Sequence, residues 1–191
     1  MENKKLLEEI RSYWNNRADG YSRVNQEELH SEQKEKWKEV LLEQLPKKEK
    51  DQVQILDIGT GPGFFAILLA EEGYQVTAVD YTEQMLQEAK SNAADLADQI
   101  SFKRMDAQNL EFPKETFDYI VTRNVTWNLE HPKRAYREWQ RVLKPGGKIL
   151  NFDANWYAYL YDDKLKLGYE QDRQRAKEEQ VEDYYRSEEH T

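Results

Sequence analysis

Apolar and polar positions follow three successive patterns along this chain. In the first fifty residues the apolar spacing is helical, with Leu6, Leu7 and Ile10 on one face and Leu29, Trp37, Val40, Leu41 and Leu45 on another. This predicts helices over 3–12 and 26–45, the second stopped by Pro46, with an aromatic and polar stretch broken at Gly20 between them. From Val53 onward, short apolar runs alternate with amphipathic ones. Strands are expected over 53–58, 75–79, 100–105, 117–122 and 148–152, and helices over 64–72, 82–94 and 132–143. Thr82 is a suitable cap for the second of these helices, whose inner face carries Met85, Leu86 and Ala89. Pro132 suits the first turn of the third, and Lys144-Pro145-Gly146-Gly147 closes it. Strands alternating with helices require right-handed crossovers, so the fold expected is α/β: a doubly wound, mostly parallel sheet in three α/β/α layers. After Asp153 the pattern fades. Residues 155–161 are aromatic, and 162–191 are densely charged. Leu165, Leu167, Tyr169, Val181, Tyr184 and Tyr185 form at most a weak helical face there, as in a solvated helix or tail. Three segments follow: a helical lid over 1–50, an α/β core over 51–155, and a charged helical extension, or the truncated end of the domain, over 156–191.

Length and charge narrow the function. A chain of 191 residues is long enough for one domain with a substantial core. Its net charge of −9 argues against nucleic acid as a partner, which calls for a basic stripe. The absence of cysteine excludes disulfides and thiolate metal sites. No His, Asp and Glu set has metal-ligand spacing, and no Ser, His and Asp set has a supporting motif, so neither a metal nor a covalent nucleophile is expected. The opening Met-Glu-Asn-Lys-Lys is not a signal peptide, and no apolar run approaches the ~20 residues of a membrane span. A soluble, cytoplasmic protein with no membrane partner is expected.

The chemistry concentrates at I-L-D-I-G-T-G-P-G, from Ile55 to Gly63, where a strand runs through a glycine turn into a helix. Glycine opens backbone angles closed to other residues and lets a ligand approach the main chain. The helix amides that follow favour electron-rich groups. Asp80, ending the next strand, offers a carboxylate suited to the two hydroxyls of a ribose. The dinucleotide fingerprint G-x-G-x-x-G does not fit, because the third glycine comes one residue early and Asp57 precedes the first by two. A bare strand-to-helix turn explains neither acid.

The string acidic-x-G-x-G-x-G resembles the first motif of class I S-adenosylmethionine-dependent methyltransferases of the small-molecule type. The resemblance spans roughly residues 10–160 through Asp80, Asp106 after the third strand, a polar segment after the fourth, and K-P-G-G before the fifth. It implies S-adenosylmethionine as cofactor, with S-adenosylhomocysteine as product, and a small-molecule acceptor. It further implies that Asp57 holds the methionine ammonium, that Gly59, Thr60, Gly61 and Gly63 line the cofactor, and that Asp80 binds the ribose. Asp106 and Ala107 would meet the adenine, and Asn124 the sulfonium end. Tyr81 lies against the adenine or is an exposed loop residue; Met105 packs on the base or in the core.

The amino-terminal Y-W-N-N-R-A-D-G-Y resembles a lead-in found in many such enzymes. There Tyr13, Arg17 and Tyr21 fold over the cofactor, Arg17 meeting its carboxylate, or else the segment is a helix packed on the sheet edge. Tyr13, Trp14, Trp127, Asn128 and Trp156 are candidates for the acceptor pocket. The acidic-or-Asn-Pro-Pro-aromatic signature of nucleic-acid base methylation is missing after the fourth strand. His131 is the one histidine among the motifs, either a general base or, before Pro132, a helix-start residue. The family's sheet ends in two further strands that this sequence does not offer after Phe152. The final strands are therefore missing, or the chain is a piece of a longer protein, or a partner completes the edge. The last would make a homodimer through an unpaired strand. A catalytically silent module that binds S-adenosylmethionine and acts through a partner is the alternative to an enzyme.

Overall fold

The computed structural model describes residues 2–47, 49–155 and 158–178. Among them five strands form one parallel sheet: β1 (Gln54–Ile58), β2 (Gln75–Asp80), β3 (Ile100–Arg104), β4 (Phe117–Arg123) and β5 (Leu143–Phe152), in the order β3-β2-β1-β4-β5. Adjacent residues point to opposite faces, which divides the core. On one face Ile55, Val76, Ala78 and Val121 meet helix α3 (Phe64–Glu71), apolar from Phe64 to Ala70, and Leu41 of α2 (Glu32–Gln44). On the other, Leu56, Ile58 and Ile120 meet Ala135, Trp139 and Val142 of α5 (Pro132–Val142). After β1 the chain winds towards β2, and it later returns to the other side of β1 as β4. The carboxyl ends of β1 and β4 therefore open a crevice at the point where the order reverses, the place where such sheets bind ligands.

The amino end departs from expectation. A single helix, α1, runs Glu2–Leu29 without a break at Gly20. A helical glycine costs about 1 kcal/mol, and here tertiary packing outweighs it. Ala18, Ser22 and Asn25, spaced at four and three residues, are all buried. Two of them are polar, so a reading of apolar periodicity passes over this face. The break falls at His30, and Ser31 caps α2 by accepting the Gln33 N–H at 3.2 Å.

Two smaller corrections concern turns. Thr82 occupies the cap position of α4 (Glu83–Ala93), but its side chain makes no capping hydrogen bond. The K-P-G-G turn lies inside β5, where it loops out between the Phe117–Leu143 and Tyr119–Lys148 pairs. Beyond β5, residues 158–178 supply a short turn and helix α6 (Asp163–Glu178), whose Tyr169 stacks on Tyr159 at 4.2 Å while Leu165 and Leu167 face solvent. This matches the solvated helix expected there. Val181, Tyr184 and Tyr185 lie outside the described residues. Among the described residues no strand pairs with the outer edge of β5, and no helix is long and apolar enough to cross a membrane.

Candidate active site

The glycine turn leaves β1 with Gly59, Gly61 and Gly63 all at positive φ. At Gly59 (φ +65°) a Cβ would also come within 2.4 Å of a Val125 methyl, whereas at Gly61 (φ +52°) it would meet nothing within 4 Å. The first glycine thus permits close packing against the segment after β4, and the second leaves open space above the main chain. Hydrogen bonds fix the turn on its inner side. The Thr60 N–H donates to Val79 O at 3.0 Å, and the Gly61 N–H to Asp80 Oδ2 at 3.0 Å. Asp80 Oδ1 accepts the Thr82 N–H at 2.9 Å. The Thr60 hydroxyl donates to Asp57 Oδ2 at 2.7 Å.

Both acids are shifted. Asp57 is 2% exposed. Burial pushes its carboxyl up to about 7, against the pull of the Thr60 hydroxyl and the Ala66 amide, and the nearby charge of Asp80 adds to the rise. Asp80 is only partly covered as a residue, yet its enclosed carboxyl is also raised by burial, opposed by the amides of Thr82 and Gly61.

These groups border a cavity of about 270 Å³ at the carboxyl ends of β1, β2 and β4, walled on its open side by α1. It brings together Asp57, Gly59, Thr60, Gly61, Asp80, Tyr81, Met105, Asp106, Ala107, Asn124 and Asn128, and from α1 Trp14 and Tyr21. Asp106 is oriented by Gln108, whose backbone N–H reaches Oδ1 at 2.8 Å. Trp139 Nε1 donates to Ala107 O at 2.8 Å and seats this turn on α5. Asn124 takes the left-handed conformation (φ 57°) that asparagine tolerates better than most residues, with its N–H on Phe152 O at 2.8 Å.

Five expected residues fall elsewhere. Gly63 caps α3 against Ala89. Tyr13 and Arg17 are not in the cavity lining; the Arg17 guanidinium lies 4.4 Å from the Tyr13 ring centre, and Tyr13 is 47% exposed. With 3.6 residues per turn, Leu7, Ile10, Trp14, Tyr21 and Val24 share the inward stripe, and position 13 falls just beyond its edge. Arg17 lies within the arc of that stripe, with its Nε buried and its guanidinium turned to Tyr13. Trp127 stands behind the cavity lining: its indole N–H donates to Asn124 O at 2.8 Å, and its ring lies edge-on to Trp14 at 6.1 Å. His131 stands at the cap position of α5, outside the lining, with its backbone N–H on Gln108 Oε1 at 2.6 Å. Trp156 lies outside the described residues.

Of the lining groups not singled out from the sequence, four bear on the chemistry. Glu28 and Arg123 form a two-point ion pair, 2.9 Å at each contact, backed by the Trp37 indole N–H on Glu28 Oε1 at 3.1 Å. Gln108 is buried between Asp106 and His131, and Glu130 lies beside Asn128 in the segment after β4. A charged residue ending an apolar strand, as Arg123 does in F-D-Y-I-V-T-R, was the available signal. The others carry none in a single sequence. Among the described residues no cluster of His, Asp or Glu is arranged to hold a metal ion.

A family model described as "Methyltransferase domain" matches residues 56–151, half of the chain and the whole of this site's strand-and-turn framework. The chain belongs to this methyltransferase domain family. It is 31% identical over 109 residues to a ubiquinone biosynthesis O-methyltransferase of Coxiella burnetii, covering 56% of this chain and 47% of that protein. It is also 31% identical over 144 residues to the ubiquinone/menaquinone biosynthesis C-methyltransferase UbiE of Rickettsia massiliae, covering 71% and 54%. The crystal structure of an S-adenosylmethionine-dependent methyltransferase from Mesorhizobium loti superposes with a TM-score of 0.52 at 29% identity, over 59% of this chain and 50% of that one. The chain spans about half the length of the curated relatives it matches.

S-adenosylmethionine is the cofactor of this methyltransferase domain, and the cavity suits it chemically. Glu28, Asp57, Asp80, Asp106 and Glu130 line it against a single guanidinium, Arg123. A sulfonium and an ammonium are stabilised in that field. The pyrophosphate of a dinucleotide would be repelled.

Proposed function

We propose that this chain transfers a methyl group from S-adenosylmethionine to a small acceptor by in-line displacement. The excess of carboxylates in a cavity at the sheet's switch point carries the reading. Each Asp80 oxygen already accepts one amide and keeps a lone pair for a ribose hydroxyl. Asp106 and Ala107 take the adenine edge, with Tyr81 beside it. Gly59, Thr60 and Gly61 pass along the methionine portion, Asp57 accepts its ammonium, and Asn124 stands at the sulfonium end. In this reading Gly63, Arg17 and Tyr13, which are not in the lining, support the site from outside it. When bound, the cofactor supplies a methyl group on a sulfonium, whose departure as a neutral thioether drives the transfer. The protein contributes alignment and the exclusion of water, through Trp14 and Tyr21 of α1 over the cavity. The acceptor side is then the segment after β4, with Asn128 and Glu130 lining it and Trp127 behind.

The acceptor class is a phenol or quinol in the first instance, because the relatives named above serve quinone biosynthesis. The net charge of −9 supports a small molecule over nucleic acid. The cytoplasm is the proposed location. The edge of β5, unpaired among the described residues, supports a homodimer, tested by sedimentation at micromolar concentration. Titration calorimetry with S-adenosylhomocysteine and with NAD tests the cofactor, and binding of NAD alone would overturn the reading. Transfer of a labelled methyl group to a phenol and quinol panel tests the activity. Tight S-adenosylhomocysteine binding without transfer to any acceptor would instead favour a silent cofactor-binding module.

A further inference from the structure

Outside the cavity, one side chain joins two of its walls. Asn92, in the last turn of α4, donates through Nδ2 to the carbonyl of Pro62 at 3.0 Å. The same nitrogen lies 3.2 Å from Ser22 Oγ and 3.4 Å from Asn25 Oδ1, and Asn92 Oδ1 accepts from Gln26 Nε2 at 2.8 Å. Ser22, Asn25 and Gln26 stand at i, i+3 and i+4 on α1 and so share one face. That turn of α1 also supplies Tyr21, Val24, Asn25 and Glu28 to the cavity wall. Pro62 belongs to the glycine turn, and its carbonyl is its one backbone hydrogen-bonding group. Asp80 thus grips the turn at the Gly61 amide from inside, and Asn92 grips it at the next carbonyl from outside. Ala89, one helical turn before Asn92, backs Gly63. Ser22 and Asn25 are 2% and 7% exposed, so a shift of α1 that broke these contacts would leave buried polar groups unpaired.

We propose that Asn92 is a positioning residue that couples the seating of α1 over the cavity to the conformation of the Gly61–Gly63 turn. This rests on the reading of the cavity as the S-adenosylmethionine site. Occupancy of the turn then tightens α1, and loosening α1 weakens the turn's hold on the ligand, since such coupling is reciprocal.

The test uses the full chain with S-adenosylhomocysteine as probe. Calorimetry gives affinity, and amide exchange gives the protection of residues 14–28 with and without ligand. In the unsubstituted protein the ligand raises that protection. Asn92→Ala removes the link, so affinity falls about tenfold, the scale of one or two net hydrogen bonds, and the ligand-induced rise disappears. A purely structural role would lower protection in free and bound protein alike and leave the rise intact. Ser22→Ala keeps the bond to Pro62 and removes a partner on α1. A several-fold loss of affinity at a site it does not line is expected, and this variant keeps the test decisive should Asn92→Ala fold poorly. Unchanged affinity in Ser22→Ala, or an undiminished rise in Asn92→Ala, overturns the coupling. Failure of the unsubstituted protein to bind S-adenosylhomocysteine would instead remove the cofactor reading, and this proposal with it.

Discussion

Glu28 and Arg123 meet in a two-point ion pair that ties the end of α1 to the end of β4, ninety-five positions apart in sequence. The guanidinium also lies 4.7 Å from the Trp37 ring and 5.0 Å from that of Phe64, so it is held rigidly beside the glycine turn. Arg17 is not in the lining, so Arg123 is the one cation lining the cavity among the described residues. We expect it to meet the carboxylate of the cofactor's amino-acid end, with Glu28 and Asp57 placed for the ammonium.

The comparison of two ligands isolates that role. Arg123→Met should weaken S-adenosylhomocysteine by about 10- to 100-fold, the scale of a lost charge-assisted contact. It should leave 5′-methylthioadenosine, which lacks the amino-acid end, within about twofold. Removing one charge of a half-buried pair also destabilises the fold, so the double variant Glu28→Gln with Arg123→Met provides a neutral control. Equal losses for both ligands would mean that Arg123 only anchors α1.

Asp57 gives the site a pH dependence whose sign is fixed by its burial. Its carboxyl lies at about 7 in the folded chain against an ordinary 3.8. Between roughly pH 4 and 7 the folded protein holds a proton that the unfolded chain has released. Stability without ligand therefore falls as pH rises through that window, by up to about 4 kcal/mol. A bound ammonium reverses the trend by favouring the carboxylate. Affinity for S-adenosylhomocysteine should rise from pH 5.5 to 7 and level off above, with proton release near pH 6.5. Melting curves and calorimetry in buffers of different ionisation enthalpy measure the two effects. Asp57→Asn should flatten both, leaving the drift of the same sign from Asp80, whose carboxyl is also raised by burial.

Much of this was legible in the sequence, and the misses share a cause. Asp57 and Asp106 rest on the resemblance to class I methyltransferases, while the five strands, the glycine turn and Asp80 follow from apolar period and local spacing. The same signal fails where a buried face is polar. Ser22 and Asn25 hid the continuation of α1 through Gly20, which left two readings open for the segment that carries Tyr13 and Arg17. Glu28, Gln108 and Glu130 acquire their roles from partners distant in sequence, which no local pattern encodes.

The two cavity-lining glycines should respond differently to the same substitution. Gly59→Ala meets a Val125 methyl at 2.4 Å as well as strain at φ +65°, while Gly61→Ala meets only the strain of φ +52°. Left-handed strain alone costs roughly 1–2 kcal/mol. Gly61→Ala should therefore lower the melting temperature by a few degrees, and Gly59→Ala by clearly more. A Val125→Ala change should restore part of the Gly59→Ala loss and none of the Gly61→Ala loss. Equal shifts in the two single variants would mean that the segment after β4 moves aside at no cost.

Glu130, not His131, lines the cavity beside Asn128. His131 is bound into the structure through its main chain, on Gln108, and its Nε2 lies 3.5 Å from Glu130 Oε1. Its backbone contact survives any side-chain change, so His131→Asn should leave methyl transfer within about twofold of the unsubstituted rate. Where the acceptor must lose a proton, the nearby carboxylate is the group in position to take it. Glu130→Gln should then lower the transfer rate by about 100-fold, the lower end of general-base effects, with S-adenosylhomocysteine affinity unchanged within about twofold. A comparable loss of rate in His131→Asn, with none in Glu130→Gln, would instead give the proton to the imidazole and leave Glu130 as its neighbour.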